Sequence, residues 1–285
     1  MITHPNVKIN LGLNVLRRRE DGYHDIETLF LPYMGITDTL EIITGDEFSE
    51  TSSVLFERYP SEGQISQDIS PDGKLMITIA KQDGVDWNPL KDLTAKAYFL
   101  LAEDFPDLPP VKIYLEKTAP VGAGLGGGSS DASFALTMLN EIYRLGLNQS
   151  QLASYAARLG SDCAFFIFNT PMFGEGRGEI LTQHPVPELD NFEIRIKFRP
   201  GTSVSTAQAY HGLKPHPAAI SLRSALAQPA AEWKNCVFND FEESVFALQP
   251  VLKKLKQELY DEGAVYASMS GSGSAIFGLF YKSKN

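Results

Sequence analysis

Cysteine is scarce in this sequence, a basic excess is absent, and no long apolar run occurs. The 285 residues include only Cys163 and Cys236, which are too few for a disulfide framework and do not form a C-x-x-C pair. The five histidines show no metal-ligand spacing. These shortages argue against a disulfide-rich secreted domain and a structural zinc site, and no residue is assigned as a metal ligand.

The charge balance is acidic, with 25 basic and 35 acidic residues and a formal net charge of −10. Nucleic-acid-binding proteins usually carry a basic face, and anionic membranes attract basic segments, so neither nucleic acid nor a membrane is an expected partner. The sequence also lacks an apolar run of about 18 residues and a signal-peptide pattern. We therefore expect a soluble cytoplasmic protein. Because its net charge is negative, any anionic ligand must be held by a local group of donors.

The apolar content, 43% of the residues, is enough for a proper core, and the length favours one large or two ordinary domains. Period-two alternation predicts a half-buried strand over residues 7–15, with Lys8 and Asn10 on one face. Residues 45–73 are polar and predict a surface loop with at most an edge strand. Further strands are predicted at residues 26–31, 39–43, 75–79, 111–116, 193–198, 265–269 and 275–281.

Helix signals lie between these strands. Asn88-Pro89 is typical of a helix start, and helical spacing continues over residues 130–145 and about 150–159. In the C-terminal part, Asn239-x-x-Glu242 resembles a capping box, and the helical pattern that follows breaks at Pro250. A domain boundary is expected between residues 168 and 191.

A glycine-rich loop at residues 120–130 is the strongest local signal. It reads Pro-Val-Gly-Ala-Gly-Leu-Gly-Gly-Gly-Ser-Ser, and a helix is predicted directly after it. Glycines let backbone N–H groups approach a polyanion closely, and a helix N-terminus adds unpaired donors and the positive end of the helix dipole. The loop therefore predicts a phosphate site that works in an acidic protein.

Other types of glycine-rich loop fit this segment less well. Gly122-x-Gly124-x-x-Gly127 satisfies the dinucleotide-binding pattern, but helix follows helix where that fold needs a strand. A Walker loop ends in Gly-Lys-Ser/Thr, and the protein-kinase loop lies in a hairpin with no helix behind it. A tight strand-to-helix turn without a ligand stays open, although so many glycines make that turn entropically costly.

Several motifs, in order along the chain, resemble those of the GHMP kinases. They are Lys8-Ile9-Asn10-Leu11, Arg19-x-Asp21-Gly22-Tyr23-His24, the loop at 120–130, Gly160-Ser161-Asp162, Gly-Glu-Gly-Arg-Gly-Glu at 174–179, Asn239-Asp240-Phe241-Glu242 and Met-Ser-Gly-Ser-Gly-Ser at 269–274. The resemblance implies an α+β, two-domain GHMP kinase fold. Residues 1–170 would form an N-terminal domain like domain 2 of ribosomal protein S5, and residues 171–285 a ferredoxin-like C-terminal domain.

The motifs are most similar to the branch of this superfamily that phosphorylates the 2-hydroxyl of 4-diphosphocytidyl-2-C-methyl-D-erythritol, in the non-mevalonate route to isoprenoids. The resemblance implies ATP as the phosphoryl donor, a cytidylated small-molecule substrate, and a monomer or homodimer. Relatives carry a Mg²⁺-binding serine where this chain has Gly128, so Mg²⁺ is expected mainly with the nucleotide. A kinase for homoserine, mevalonate or a sugar, or a non-catalytic ligand sensor, are the alternatives.

The resemblance also implies individual roles. Asp162 would accept the proton of the attacking hydroxyl, and Lys8 would hold that carboxylate ionised and neutralise developing charge. The implied substrate-binding residues are Asn10, Tyr23, His24, Thr206 and Tyr210. The implied phosphate-binding residues are Pro120, Val121, Gly122, Ala123, Gly124, Leu125, Gly126, Gly127, Gly128, Ser129 and Ser130.

Tyr23 and Tyr210 would sandwich the cytosine, with His24 on the edge of the base. Simpler interpretations stay open for each residue taken alone. Asp162 fits a helix cap, Lys8 fits a solvated charge on a strand, and the two tyrosines fit partial core packing.

Overall fold

The structure, a computed structural model, describes residues 1–45, 48–211, 213, 215 and 220–283. Its strands are β1 (Ile2–Thr3), β2 (Asn6–Arg18), β3 (His24–Thr37), β4 (Thr39–Thr44), β5 (Ile65–Ile69), β6 (Leu75–Lys81), β7 (Val111–Lys117), β8 (Met172–Glu175), β9 (Ile180–Gln183), β10 (Phe192–Lys197), β11 (Tyr266–Met269) and β12 (Ile276–Tyr281). Its helices are α1 (Glu50–Arg58), α2 (Leu93–Asp104), α3 (Gly127–Ile142), α4 (Gln149–Leu159), α5 (Cys163–Phe168), α6 (Thr206–His211), α7 (Leu222–Leu226), α8 (Trp233–Cys236), α9 (Phe241–Leu248) and α10 (Pro250–Asp261). No helix within these described ranges is long and apolar enough to cross a membrane.

The chain divides into two compact units that are each discontinuous in sequence. The first unit comprises Met1–Val7, Tyr33–Pro120 and Gly126–Asn169. The second unit comprises Lys8–Pro32, Val121–Leu125 and the chain from Thr170 onward. The division into residues 1–170 and 171–285 stays a prediction, and the second unit also takes in two segments before residue 170. The assignment of the two halves to S5-like and ferredoxin-like domains stays a prediction.

The first unit is built on a five-stranded sheet in the order β1-β4-β7-β6-β5. β6 and β7 pair in parallel, and the other neighbours pair antiparallel. Apolar side chains of this sheet pack with α2, α3 and α4 into one core, which includes the fully buried Ile77, Ile113 and Leu136. The β-branched composition of the central strands suits this burial.

The second unit contains two sheets. One has the order β2-β3-β8-β9, and the other has the antiparallel order β10-β12-β11. Its main apolar cluster joins Leu13 of β2 to Phe241 of α9, Leu252 of α10 and Ile276 of β12. The middle of β2 is therefore packed by helices from the C-terminal half of the chain.

Most predicted elements are present, with local differences in extent. Every predicted strand overlaps an observed one, β5 is the edge strand of its sheet, and the helix break at Pro250 is confirmed. The prediction of a half-buried strand at residues 7–15 is wrong, because β2 is buried on both faces from Asn6 to Leu13. The last residues of the predicted loop, from Gly127, already form the first turn of α3.

Three predictions about helices are wrong in detail. The segment predicted as loop contains α1, whose first turn donates backbone N–H groups to Glu41 on β4. Asn88 caps only a short 3₁₀ turn, and Asp92 caps α2. Asn239 and Glu242 do not form a capping box, because Glu242 accepts from the backbone N–H of Met269 instead.

Candidate active site

Lys8 and Asn10 lie on β2 in the second unit, and both are buried, at 3% and 2% exposure. Two residues apart on a strand, they share a face, as the sequence predicts. The Lys8 ammonium donates to Asn10 Oδ1 and to the backbone carbonyl of Gly124 at 3.0 Å. Lys8 is therefore not a solvated surface charge: its cation is held against the glycine-rich loop.

Ser270 and Thr28 hold this polar cluster in place, and sequence reasoning did not single out Thr28. Ser270 Oγ accepts from the Asn10 backbone N–H at 3.2 Å and donates to the Gly124 carbonyl at 2.9 Å. Thr28 Oγ1 accepts from Asn10 Nδ2 at 2.9 Å and donates to the carbonyl of Gly12 at 2.7 Å. No sequence signal separates Thr28 from any other strand threonine.

The two glycine-rich turns of the sequence meet at Gly124. Gly124 has φ +74°, and an added Cβ would lie 2.1 Å from the carbonyl oxygen of Ser270. The backbone N–H of Ala275 also donates to the carbonyl of Ala123 at 3.0 Å. Only glycine permits both this φ and this approach, so the loop sequence is adapted to the turn at 270–274.

The Asn239-Asp240 motif anchors that second turn. Asn239 Nδ2 donates to the carbonyls of Met269 and Gly271, each at 2.8 Å. Asp240 Oδ2 accepts from the backbone N–H of Val15 at 2.7 Å on β2. These residues position the backbone around Lys8 and Ser270 without belonging to the predicted chemistry.

In the first unit, residues 127–130 of the glycine-rich segment form the first turn of α3, a helix of 16 residues. Gly126 takes the N-cap position with φ +71°, so Gly127, Gly128 and Ser129 present the unpaired N–H groups of a helix N-terminus. Ser130 Oγ is fully buried and has no hydrogen-bond partner among the described residues. The arrangement has the donors and the dipole direction that an anion needs.

Asp162 takes the N-cap position of α5, also in the first unit, but within the described residues its side chain makes no cap hydrogen bond to that helix. The helix-cap interpretation therefore has no support. A Cβ at Gly160 would lie 3.2 Å from Cys163 Sγ and 3.9 Å from Ser129 Oγ. The turn that contains Asp162 therefore packs close to the start of α3. Burial raises the pKa of Cys163 to about 11, so this neighbour is an unreactive thiol.

The residues predicted to hold a base lie in the second unit. The rings of His24 and Tyr210 stack, with centroids 4.4 Å apart and an angle of 16°. Tyr23 is 57% exposed, and the Arg177 guanidinium lies 4.8 Å from its ring centroid. The predicted sandwich of Tyr23 and Tyr210 stays a prediction, since His24 is the residue that stacks on Tyr210.

Electrostatics and one hydroxyl contact complete this region. Burial, and then the charge of Arg18, lowers the pKa of His24 below its ordinary value, so its imidazole is neutral near pH 7. Thr206, the first residue of α6, has its Oγ1 3.2 Å from Ser272 Oγ in the second turn. Thr206 is therefore next to the turn that also carries Ser270.

The described residues contain no group of three or more His, Cys, Asp or Glu side chains that could hold a metal ion. Ser130 Oγ, at the start of α3, is buried and has no hydrogen-bond partner among the described residues, so it is the group to consider for a cation that arrives with a nucleotide. A hydroxyl there is a suitable ligand for a phosphate oxygen or a hard cation.

Comparison with known proteins identifies the family. The family models described as "GHMP kinases N terminal domain" and "GHMP kinases C terminal" match residues 92–170 and 221–285. The protein named 4-diphosphocytidyl-2-C-methyl-D-erythritol kinase of Bacteroides fragilis is 46% identical over 281 residues, covering 98% of this chain and 92% of that protein. The chain belongs to this family of GHMP kinases. The kinase of the same name from Cytophaga hutchinsonii is 40% identical, with the same coverage.

Solved structures agree with this membership. A crystal structure of 4-(cytidine 5'-diphospho)-2C-methyl-D-erythritol kinase has a TM-score of 0.72 at 30% identity, covering 98% of this chain and 90% of that one. The two-domain GHMP kinase fold is thereby confirmed. The homoserine kinase of Cytophaga hutchinsonii, with a TM-score of 0.58 and 18% identity over 98% and 86% of the two chains, shows the shared fold alone.

Proposed function

We propose that this GHMP kinase transfers the γ-phosphoryl group of ATP to the 2-hydroxyl of 4-diphosphocytidyl-2-C-methyl-D-erythritol. The observation that carries the proposal is the 46% identity, over nearly the full length, to a kinase named for that substrate. The alternatives named for homoserine and mevalonate rest on likenesses of 18% identity or less. We further propose that the reaction serves the non-mevalonate route to isoprenoids.

Phosphate binding is proposed for residues 120–130. The α3 N-terminus supplies N–H donors and a positive dipole end, and Ser130 supplies a buried hydroxyl that lacks a partner among the described residues. Mg²⁺, carried with the nucleotide, would neutralise charge on the β- and γ-phosphate oxygens. Ser129 and Ser130 are the residues that would face this group, and no protein carboxylate is assigned to it.

The proposed chemistry uses one base and one cation. Asp162 accepts the proton of the 2-hydroxyl while the hydroxyl oxygen forms a bond to the γ-phosphorus. The bond between the γ-phosphorus and the oxygen that leaves with ADP breaks in the same step. Lys8 supplies a fixed positive charge, because Asn10 Oδ1 and the Gly124 carbonyl hold its ammonium in place.

Substrate recognition is proposed for the aromatic residues of the second unit. Tyr23 or Tyr210 would stack on the cytosine, and neutral His24 would hydrogen-bond its edge. Thr206 would contact the diphosphate or ribose from its place beside Ser272. Asn10 would orient the acceptor end of the substrate from its place beside Lys8.

The test is ADP release measured with ATP and a panel of alcohols. The panel contains 4-diphosphocytidyl-2-C-methyl-D-erythritol, its analogue without the cytidylyl group, homoserine and mevalonate. We expect turnover with the cytidylated alcohol at least about 10³-fold above the others, because the site must pair polar groups with the base. A better rate with an uncytidylated alcohol would overturn the substrate assignment, and binding without turnover would favour a sensor.

The base assignment is tested by Asp162→Asn, which keeps the shape and the N-cap preference of the residue. Its kcat should fall by about 10²–10⁴-fold while the KM values stay nearly constant, because only the proton acceptor is lost. Asp92→Asn is the matched control, because Asp92 caps α2 with its side chain and has no proposed chemistry. A near-normal kcat for Asp162→Asn would reject Asp162 as the base.

A further inference from the structure

A buried ion cluster in the first unit is not used by the proposed chemistry. Lys117, the last residue of β7, donates to both Asp38 Oδ2 and Asp131 Oδ2. The two carboxylate side chains are each 1% exposed, and the Lys117 side chain is 4% exposed. Buried charges are costly unless they are paired and hydrogen-bonded, so this cluster calls for a specific role.

The two carboxylates in the cluster are bound very differently. Asp38 Oδ1 accepts the backbone N–H groups of Thr118 at 2.6 Å and Ala119 at 2.7 Å, in addition to the ammonium on Oδ2. Asp131 Oδ1 is buried and has no partner among the described residues, so Lys117 is the group that holds this carboxylate. Burial raises the pKa of Asp131 well above its ordinary value, against the effect of Lys117. Within the described part of the chain, the Asp131 carboxylate thus has one hydrogen-bond donor, whereas the Asp38 carboxylate has three.

The cluster contacts residues that directly precede the glycine-rich loop and includes one residue that directly follows it. Thr118 and Ala119 lead into the loop, and Asp131 belongs to the start of α3. A Cβ added to Gly127, the first residue of α3, would lie 3.5 Å from Lys117 Nζ and 3.7 Å from Asp38 Oδ2. The cluster therefore supports the backbone at the point where the helix presents its N–H groups.

We propose that Asp38, through Lys117 and through the amides of Thr118 and Ala119, is a positioning residue for nucleotide binding, and that the charge of Asp131 is dispensable for this role. The inference rests on the proposed function for the identity of the nucleotide site. Asp38 fixes the entry of the loop with three donors, so its loss displaces the loop. Asp131 needs one acceptor oxygen for Lys117, which an amide also supplies.

The test is a matched pair, Asp38→Asn and Asp131→Asn, which makes the same change at two equally buried carboxylates on one ammonium. The Kd of a non-hydrolysable ATP analogue is measured by calorimetry, with KM for both substrates, kcat and Tm. We expect Asp38→Asn to raise the Kd and the KM for ATP about tenfold or more and to leave the acceptor KM within about twofold. Asp131→Asn should change each value by less than about threefold.

Asp38→Glu is the second variant in case Asp38→Asn does not fold. It keeps the charge for Lys117 but moves the oxygens that accept from Thr118 and Ala119, so the nucleotide Kd should still rise. Equal losses in the matched pair, or a lowered Tm with an unchanged Kd in the Asp38 variants, would overturn the proposal. The Kd of the ATP analogue is measured without an acceptor alcohol, so a wrong acceptor assignment would leave this result intact. If the unaltered protein does not bind the analogue, the nucleotide site itself is rejected.

Discussion

Lys8 and Asn10 are almost fully buried, whereas Tyr23, assigned to the same substrate, is 57% exposed in the same unit. The Lys8 cluster is tied to Gly124 and Ser270 by direct hydrogen bonds. In the aromatic region of Tyr23, His24 and Tyr210, the exposed Tyr23 ring lies near Arg177, while the half-buried Tyr210 stacks on His24 and packs against the core residue Phe241. Hydrogen bonds within the protein set the geometry of the first region, whereas the proposed stacking on a base would add to the packing of the second.

The difference matters because different tasks are proposed for the two regions. A charge that stabilises a transition state works best when it is fixed and desolvated, so its loss lowers kcat. A stacking surface contributes equally to bound substrate and transition state, so its loss raises KM. The following variants test this division, from the largest expected effect to the smallest.

Lys8→Met should cause the largest loss. The change keeps an unbranched side chain that is one atom shorter and removes the cation from the Gly124 carbonyl. We expect kcat to fall by about 10²–10⁴-fold, as for the loss of a preorganised charge, with smaller changes in KM. Steady-state kinetics on protein shown to be folded by circular dichroism checks the result.

The control for Lys8→Met is Lys254→Met, at an exposed lysine of α10. This variant should retain the unaltered kcat. If kcat of Lys8→Met stays within about fivefold, the buried cluster has no preorganised catalytic charge, and the comparison with the aromatic region fails.

Gly124→Ala should be the most destabilising change in the loop. Its Cβ would lie 2.1 Å from the carbonyl oxygen of Ser270. Gly122→Ala is the matched control, because Gly122 has φ +70° and no described atom within 4 Å of an added Cβ. Both variants bear the strain of a positive φ, about 1 kcal/mol, and Gly124→Ala should lose about 1–3 kcal/mol more through overpacking.

Urea unfolding of the two glycine variants measures this difference in the free energy of unfolding. The expected order is unaltered protein, Gly122→Ala, then Gly124→Ala. Equal midpoints for the two variants would mean that the contact between the two glycine-rich turns is not tight in solution. The buried region would then be as adaptable as the aromatic one.

The same contrast explains what the sequence could and could not predict. Alternation located β2 and placed Lys8 beside Asn10, because period two is a local property. The burial of Lys8 depends on Gly124, 116 positions away, so no local pattern indicates it. A family resemblance implies the roles proposed for Lys8 and Asp162, which residue types alone leave ambiguous.

Two of the wrong predictions involve contacts between different elements. α1 lies in the segment predicted as loop, and the N–H groups of its first turn are accepted by Glu41 on β4 and by the N-cap residue Ser49. Glu242 was assigned to a capping box, but its carboxylate binds Met269 N instead. Asp38 and Lys117 gave no signal, because a buried ion cluster cannot be told from surface charges in one sequence.

Tyr210→Ala should produce an intermediate effect, on KM for the cytidylated substrate. Stacking of a base on an aromatic ring is worth about 1–3 kcal/mol, so KM should rise about 5–100-fold with kcat nearly constant. Tyr210→Phe is the matched control, since it keeps the ring that stacks on His24 and packs against Phe241. A loss of kcat without a change in KM would place Tyr210 with the buried region rather than the exposed one.

The smallest effect concerns pH and His24. Burial lowers the pKa of this imidazole, so it takes up a proton only below its ordinary pKa of about 6.5. Since the unfolded state binds that proton first, the contribution of His24 to stability is complete above about pH 6.5 and declines as the pH falls toward the folded-state pKa.

KM for the cytidylated substrate should therefore be flat above about pH 6.5 and rise a few-fold below it, because a cationic ring can no longer accept a hydrogen bond from the base. His24→Gln, which keeps a donor and an acceptor, should remove that rise. An inflection of KM above pH 6.5 that persists in His24→Gln would assign the titration to another group. The exposed region would then recognise the base without His24, through the rings of Tyr23 and Tyr210.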